Sequence, residues 1–230
     1  MDYIIIILFL IMVLVILAIV YDVNIKKIKQ FAKTEESKFN EITNKYPSNI
    51  EICKYILNKL KNNNVKVEED KNSETCLYIA VTNKIVIANV KNSYTRIQTI
   101  AHECLHSIQS RKILLFNFIY SNIYILYFLI TTILSIFNIL PNKMLFLSIM
   151  LILSYVYYFV RSYLENDTMI KAKFLAKEYM EEVKISKNEE INSIVDSFEK
   201  LNNIGIKITN FQLMFETIIK VIILLITFLI

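Results

Sequence analysis

The feature that most constrains this chain is a stretch of 48 predominantly apolar residues at positions 113–160. One helical crossing of a bilayer core takes about 20 apolar residues, so the stretch is too long for one membrane helix and long enough for two. Its only polar break of consequence is a turn at residues 141–143 that contains a proline. Because so short a turn makes the flanking helices antiparallel, the sequence predicts a transmembrane helical hairpin with arms at residues 115–140 and 144–160.

Residues 3–20 form a second apolar stretch, close to the length of one membrane crossing. A cleavable signal peptide is the competing interpretation. However, no lysine or arginine precedes the stretch and no small-x-small cleavage site follows it. Lysines follow at positions 26, 27, 29 and 33, which favours an uncleaved N-terminal anchor whose C-terminal end is cytoplasmic.

Residues 208–230 form a third apolar stretch, interrupted by Gln212, Glu216 and Lys220. Glu216 and Lys220 are four residues apart, so on a helix their charges can neutralise one another. The stretch is long enough for a C-terminal transmembrane helix, with an interfacial helix as the alternative.

The composition is typical of a membrane protein, because 55% of the chain is hydrophobic and it contains only one glycine and two prolines. The three cysteines, Cys53, Cys76 and Cys104, are odd in number and match no CxxC pattern. They therefore predict neither a disulfide framework nor a cysteine zinc site. The lipid bilayer is an expected partner, and nucleic acid is not.

Residues 22–112 are polar enough to form an aqueous domain. Helices are predicted at residues 25–43 and 49–61. Short strands are predicted at residues 65–67, 77–81 and 85–87, with a hairpin turn at residues 82–83. The edge of such a sheet can bind an extended peptide beside a metal site, or the sheet can simply support the helix that follows.

Residues 101–109 contain the motif that carries the functional interpretation: His102, Glu103 and His106 in an HExxH arrangement. On a helix, residues four apart have Cβ atoms about 5–6 Å apart on one face, so both imidazoles can bind one zinc ion. Glu103 then lies beside the open position of the metal, where a carboxylate can act as a general base toward water. Both histidines of the chain fall in this motif.

The surrounding pattern predicts that the motif lies on an amphipathic helix. Apolar residues recur at helical spacing, at Ile97, Ile100, Ala101, Leu105 and Ile108. Ser93 is the predicted N-cap, and Arg111 and Lys112 suit the last turn. The alternative is that the two histidines are only packed and hydrogen-bonded.

The motif lacks a third protein ligand, and several carboxylates that follow the hairpin are candidates, including Glu165, Asp167, Glu178 and Asp196. The hairpin returns the chain to the side of the motif, and Glu165 lies about one helical turn beyond the exit. Asp167 points about 200° away from Glu165 on a helix, so the role open to it is a hydrogen bond to a ligating histidine. The alternative for Glu165 is an ordinary solvated charge.

With these residues in view, the chain resembles the bacterial membrane zinc metallopeptidases known as neutral zinc metallopeptidases. The resemblance covers most of the chain: the N-terminal anchor, a short α+β segment, an AHExxHxxQ pattern at residues 101–109, an apolar hairpin, and a Glu-x-Asp helix at residues 164–172. It implies zinc as the cofactor and Glu165 as the third ligand. More distantly, the chain is similar to membrane gluzincins, in which a glutamate after a membrane hairpin is the third zinc ligand.

The chain departs from the family pattern at some positions near the motif. It has Leu105 where the family usually has glycine, and Thr168 and Met169 where the family has small residues. Residues 76–81 are apolar where the family has a polar Asp-His-Tyr-Asp segment. These departures leave the zinc-binding residues in place and concern the chemistry of the substrate site.

The resulting prediction is a mainly α membrane protein with a small zincin-like α+β domain. It is expected to be a membrane-anchored zinc metalloendopeptidase that acts on polypeptides, membrane proteins among them. The alternatives are a non-catalytic zinc-binding scaffold and an intramembrane protease, the second disfavoured by polar residues around the motif.

The predicted segments are an N-terminal anchor (1–21), a zincin-like segment (22–112), the hairpin (113–160), a helical segment with the third ligand (161–207) and a C-terminal membrane helix (208–230). We expect a multi-pass protein of the cell membrane with a cytoplasmic catalytic domain.

Overall fold

The computed structural model describes residues 2–70, 72–73, 75–90 and 93–229, without the side chains of residues 25–28 and 32. The helices are α1 (Asp2–Val20), α2 (Ile25–Thr43), α3 (Asn49–Lys59), α4 (Arg96–Ile108), α5 (Arg111–Ile136), α6 (Lys143–Val183) and α7 (Asn188–Thr227). The strands are β1 (Lys66–Glu69), β2 (Leu77–Ile79) and β3 (Lys84–Ile87). The chain forms two compact units. The helical unit comprises Met1–Val23, Leu115–Tyr163 and Lys207–Ile230, and the mixed unit comprises Asn24–Leu114 and Leu164–Ile206.

The helical unit contains α1 and the apolar parts of α5, α6 and α7, and each of these four helices is long and apolar enough to cross a membrane. Within the unit, α5 and α6 pack antiparallel. Tyr120 donates a hydrogen bond to the main-chain oxygen of Leu153 at 3.2 Å, and Tyr127 donates to that of Phe146 at 2.9 Å. The two helices are joined by residues 137–142, which form the hairpin turn that the apolar pattern predicts.

In the same unit, α7 packs antiparallel to α1. The rings of Tyr3 and Phe228 lie 5.4 Å apart at one end of the pair, and those of Tyr21 and Phe211 lie 6.3 Å apart at the other. Lys143, at the start of α6, donates to the main-chain oxygen of Phe228 at 3.1 Å. That bond satisfies one of the carbonyls left without a partner where a helix ends.

The expected ion pair between Glu216 and Lys220 does not form. Lys220 Nζ instead donates to the main-chain oxygen of Glu216 at 3.4 Å and lies 5.5 Å from the centre of the Tyr124 ring. Gln212 donates to the Glu216 carboxylate at 3.1 Å. A four-residue spacing brings two side chains within reach, but an aromatic ring and a carbonyl oxygen are competing partners for an ammonium group.

The changes in composition near residues 161 and 207 do not end a helix, because α6 and α7 both run through them. A helix satisfies its backbone hydrogen bonds internally, so passing from apolar to charged sequence does not interrupt it. No glycine or proline lies within α6. α7 contains Gly205, where an added Cβ would lie 2.8 Å from the end of the Met169 side chain, so glycine leaves room for this methionine of α6.

The mixed unit contains a three-stranded sheet in the order β1-β3-β2. β3 lies in the centre, parallel to β1 and antiparallel to β2. The strands and the hairpin turn between β2 and β3 are those that the sequence predicts, although β1 and β3 differ from the prediction by one or two residues at their ends and β2 ends two residues early. The buried residues that the sheet and helices share include Ile52, Ile56, Ile85, Ile87, Ile97 and Ile100.

The start of α4 differs from the prediction. Thr95 rather than Ser93 occupies the N-cap position, and its side chain makes no capping hydrogen bond. Ser93 instead pairs its hydroxyl with that of Thr95 at 2.8 Å. α4 ends at Ile108, so Arg111 begins α5 instead of completing the last turn of α4.

Candidate metal centre

His102 and His106 lie one turn apart on α4, with their Nε2 atoms 3.1 Å from each other. Their rings meet edge to face, with centroids 4.6 Å apart. The apolar face of α4 packs into the core of the mixed unit, where Ile97, Ile100 and Ala101 are fully buried. Residues four apart share a helix face, so His102 and His106 point to the same side of α4. Burial of the apolar face fixes the rotation of the helix and therefore the direction of both imidazoles.

Glu165 reaches the same point from α6. Its Oε2 atom lies 3.6 Å from His102 Nε2 and 3.5 Å from His106 Nε2. One ligand atom from each of the three residues lies within 4.8 Å of the others, and among the described residues no other such group of three or more His, Cys, Asp or Glu residues is found. The structure thus brings together residues that are 59 positions apart in the sequence, from His106 to Glu165.

The spacing of these three atoms fits a tetrahedral metal site. Ligand atoms about 2.0–2.2 Å from one zinc ion, at tetrahedral angles, lie about 3.3–3.6 Å from each other. The observed separations are 3.1, 3.5 and 3.6 Å. The side chains of His102, His106 and Glu165 are 19%, 12% and 17% exposed, so the group is partly shielded and still open to solvent on one side.

Glu103 lies beside this group and is 7% exposed. Its Oε2 atom accepts a hydrogen bond from the main-chain nitrogen of Tyr78 at 2.7 Å. Tyr78 belongs to β2, an edge strand of the sheet. Burial raises the pKa of the Glu103 carboxyl, and the neighbouring histidines offset this effect only in part. A raised pKa makes a carboxylate a better proton acceptor.

His106 is held more closely than His102. Its Nδ1 atom lies 2.9 Å from Gln109 Oε1, and its Nε2 atom lies 3.4 Å from the hydroxyl of Thr168. Thr168 lies on α6, about one turn after Glu165. Burial alone lowers the pKa of His106, but the Glu165 carboxylate and other neighbours outweigh burial and hold the pKa above its ordinary value. These neighbours favour positive charge at this point, which is what a bound cation supplies.

The other carboxylates considered from the sequence lie elsewhere. Asp167 contacts Lys171 and accepts a hydrogen bond from Gln109 at 3.4 Å, so it lies against these residues rather than against a histidine. Glu178 pairs with Lys59 at 3.0 Å. Asp196 is exposed on α7. Of the four, only Glu165 joins the histidines.

Three further residues contact the site, and the sequence motif gives them no role: Tyr78, Gln109 and Thr168. Gln109 follows His106 by three residues, a spacing at which side chains can meet, so that contact had a local signal. Tyr78 acts through its main-chain nitrogen, which no residue pattern identifies. Thr168 and His106 are 62 residues apart in the sequence, so their contact depends on how α6 packs.

Comparison with protein-family models, with curated proteins and with solved structures finds no significant match to this chain.

Proposed function

We propose that this protein is a membrane-anchored zinc metallopeptidase of the HExxH type. The observation that carries the proposal is the convergence of His102, His106 and Glu165, whose donor atoms have the mutual distances of three ligands at one tetrahedral ion. Two neutral imidazoles and one carboxylate are the ligand set of several catalytic zinc sites, and such sites keep a fourth position open. The structure supports a metal at this point, and the identity of that metal as zinc is part of the proposal.

Zinc bound there would lower the pKa of a coordinated water to about 7 and polarise a peptide carbonyl. His102 and His106 would hold the ion through Nε2, and Glu165 through one carboxylate oxygen. Glu103 takes a proton from the attacking water at its carboxylate and passes it to the departing amine nitrogen. The hydrogen bond from Tyr78 holds one Glu103 oxygen, so the carboxylate enters the reaction already oriented.

The setting of the site supports a zincin-like arrangement related to the neutral zinc metallopeptidases. The motif helix α4 packs beside an edge strand, β2, and the third ligand comes from α6, whose apolar first part is the second arm of the hairpin. All the residues of the metal group belong to the mixed unit, and none to the helical unit. This membership favours a membrane-anchored peptidase over an intramembrane protease.

The substrate class we propose is polypeptide, including segments of membrane proteins. The Tyr78 nitrogen already donates to Glu103, and the other main-chain groups at the edge of β2 can pair with an extended peptide. The apolar side chains of Leu77 and Val81 are 52% and 51% exposed beside that edge. A peptide with apolar residues would cover them.

The test uses the full-length protein purified in detergent. We expect about one zinc per chain and peptidase activity that a chelator abolishes. Glu103→Gln retains the ligands but supplies an amide that cannot take the proton, so turnover should fall about a hundredfold or more while zinc content is unchanged. Glu178→Gln, a change at an exposed residue of α6, is the matched control and should behave as the wild type.

Two outcomes would contradict the proposal. Cleavage by Glu103→Gln at the wild-type rate would remove the general-base role. Wild-type protein that binds zinc without any peptidase activity would favour a non-catalytic scaffold. Polypeptides that accumulate in cells carrying Glu103→Gln, and not in cells carrying the wild type, would identify the substrates.

A further inference from the structure

Gln109 is the residue directly after α4, and its side chain lies between the two helices that supply the metal group. Its Oε1 atom lies 2.9 Å from His106 Nδ1. Its Nε2 atom donates to the main-chain oxygen of Leu164 at 2.9 Å and lies 3.4 Å from the Asp167 carboxylate. Gln109 therefore contacts the helix of the histidines with one end of its amide and the helix of Glu165 with the other.

The direction of the Gln109 amide follows from its partners. The main-chain oxygen of Leu164 and the carboxylate of Asp167 can only accept hydrogen bonds, so the amide nitrogen must face them. The amide oxygen then faces His106, which requires that Nδ1 of the neutral imidazole carries the proton. The lone pair of His106 is left on Nε2, the atom that faces His102 and Glu165.

His102 has no comparable support. Within the part of the chain that the structure describes, its hydrogen-bond and ion-pair contacts are with His106 and Glu165 only. Leu164 directly precedes Glu165 in α6, so the bond from Gln109 holds α6 one residue away from the third ligand. One side chain thus acts on two of the three ligands.

We propose that Gln109 is a positioning residue that presents His106 Nε2 and Glu165 together to the metal ion. The inference rests on the proposed metal site but not on the peptidase reaction. An amide suits the role because it accepts at one end and donates at the other, while it adds no charge beside Glu165 and Asp167. A carboxylate at this position could accept from His106 but could not donate to Leu164.

The experiment measures cobalt(II) and zinc affinity of the full-length protein by competition with a chelating indicator. Gln109→Leu removes both hydrogen-bonding ends and should weaken affinity about 10–100-fold. Gln109→Glu keeps the acceptor for His106 and loses the donor to Leu164, so its affinity should fall between those of the wild type and Gln109→Leu. An affinity equal to that of Gln109→Leu would overturn the orienting role, and an affinity equal to wild type would overturn the role in holding α6.

Gln98→Leu is the matched control. Gln98 is a buried glutamine within α4, and like Gln109 it joins α4 to another helix, here through the side chain of Asn202 on α7. Unlike Gln109, it makes no hydrogen bond to His102, His106 or Glu165 within the described part of the chain. Its loss should leave the affinity and the visible spectrum of the cobalt(II)-loaded protein unchanged, whereas Gln109→Leu should alter both. Equal effects of the two changes would show that packing alone is responsible.

The two proposals can fail separately. Wild-type protein that binds metal, together with Gln109→Leu protein that binds it equally well, would overturn the positioning role and leave the metal site intact. Wild-type protein that binds no metal would overturn the proposed function itself.

Discussion

At the scale of single residues, the metal group depends on Glu165, the one ligand that the HExxH motif does not contain. Its carboxylate lies between the two imidazoles, while Asp167, two residues later, lies against Gln109 and Lys171. The helix thus separates two neighbouring carboxylates into different environments, as its 100° rotation per residue requires.

Glu165→Gln should therefore lose metal affinity more severely than Asp167→Asn. The first change removes a ligating charge. The second removes the charge that pairs with Lys171, and asparagine still offers an acceptor oxygen to Gln109. We expect the loss for Glu165→Gln to exceed the factor of about 10–100 that is typical of an outer hydrogen-bond partner. Zinc content and affinity of the purified variants measure this, with Glu178→Gln as control. The reverse order would transfer the ligand role to Asp167.

At the scale of elements, α4 is fixed at its start by an arginine rather than by a capping hydroxyl. Arg96 is 1% exposed and donates to the main-chain oxygens of Thr43, Tyr46 and Pro47 and to the Asn49 side chain, at 2.8 to 2.9 Å. These oxygens belong to the end of α2, the turn after it and the start of α3. One guanidinium therefore joins three helices of the mixed unit.

Arg96→Met should destabilise the mixed unit, because it leaves several buried oxygens without a donor. The Thr43 oxygen still accepts from the Tyr46 nitrogen at 3.2 Å, so three of the four oxygens lose the donor that Arg96 supplies. Each unsatisfied buried polar group costs about 1–3 kcal/mol, and with the low end of that range for each oxygen we expect a total of about 3 kcal/mol. For a chain of this size, that loss corresponds to a thermal unfolding midpoint lower by about 6–12 °C. Thermal unfolding in detergent measures the shift. Arg111→Met, at an exposed arginine, should change the midpoint little, and equal shifts would contradict the special role of Arg96.

At the scale of the whole molecule, the distribution of basic residues indicates orientation in the membrane. Of the 26 lysines and arginines, all but Lys143 and Lys220 lie in residues 22–112 and 161–207. An excess of basic residues beside membrane spans marks the cytoplasmic side. The turn between α5 and α6 should then face the outside, and the loop between α6 and α7 the cytoplasm.

Single cysteines at two exposed positions test this orientation. Asn142→Cys, in the turn before α6, should react with a membrane-impermeant thiol reagent in intact cells. Asn188→Cys, at the start of α7, should react only after the membrane is permeabilised. The wild type provides the background, which should be low because Cys53 and Cys104 are buried and Cys76 is half-buried. Labelling of Asn188→Cys in intact cells, with labelling of Asn142→Cys only after permeabilisation, would show the opposite orientation in the membrane.

Features that depend on local sequence were predictable. The length of an apolar stretch determines whether a helix can cross a bilayer, so α1 and the hairpin of α5 and α6 follow from composition. The bounds of α2 follow from its helical periodicity. His102 and His106 share a face because a helix repeats every 3.6 residues, whatever surrounds it. The short strands β2 and β3 follow from apolar runs around a turn.

The contacts that complete the site were decided by tertiary structure. Glu103 meets Tyr78 across 25 residues of sequence, and Gln109 meets Leu164 across 55, through main-chain atoms that residue identity does not mark. At the start of α4, Arg96 is buried, and the Ser93 hydroxyl pairs with that of Thr95 instead of capping the helix. Hydrophobic periodicity predicts which face of a helix or strand is apolar, but it does not predict which other element packs against that face. The third ligand and its supporting amide therefore meet the histidines only because α6 packs against the end of α4.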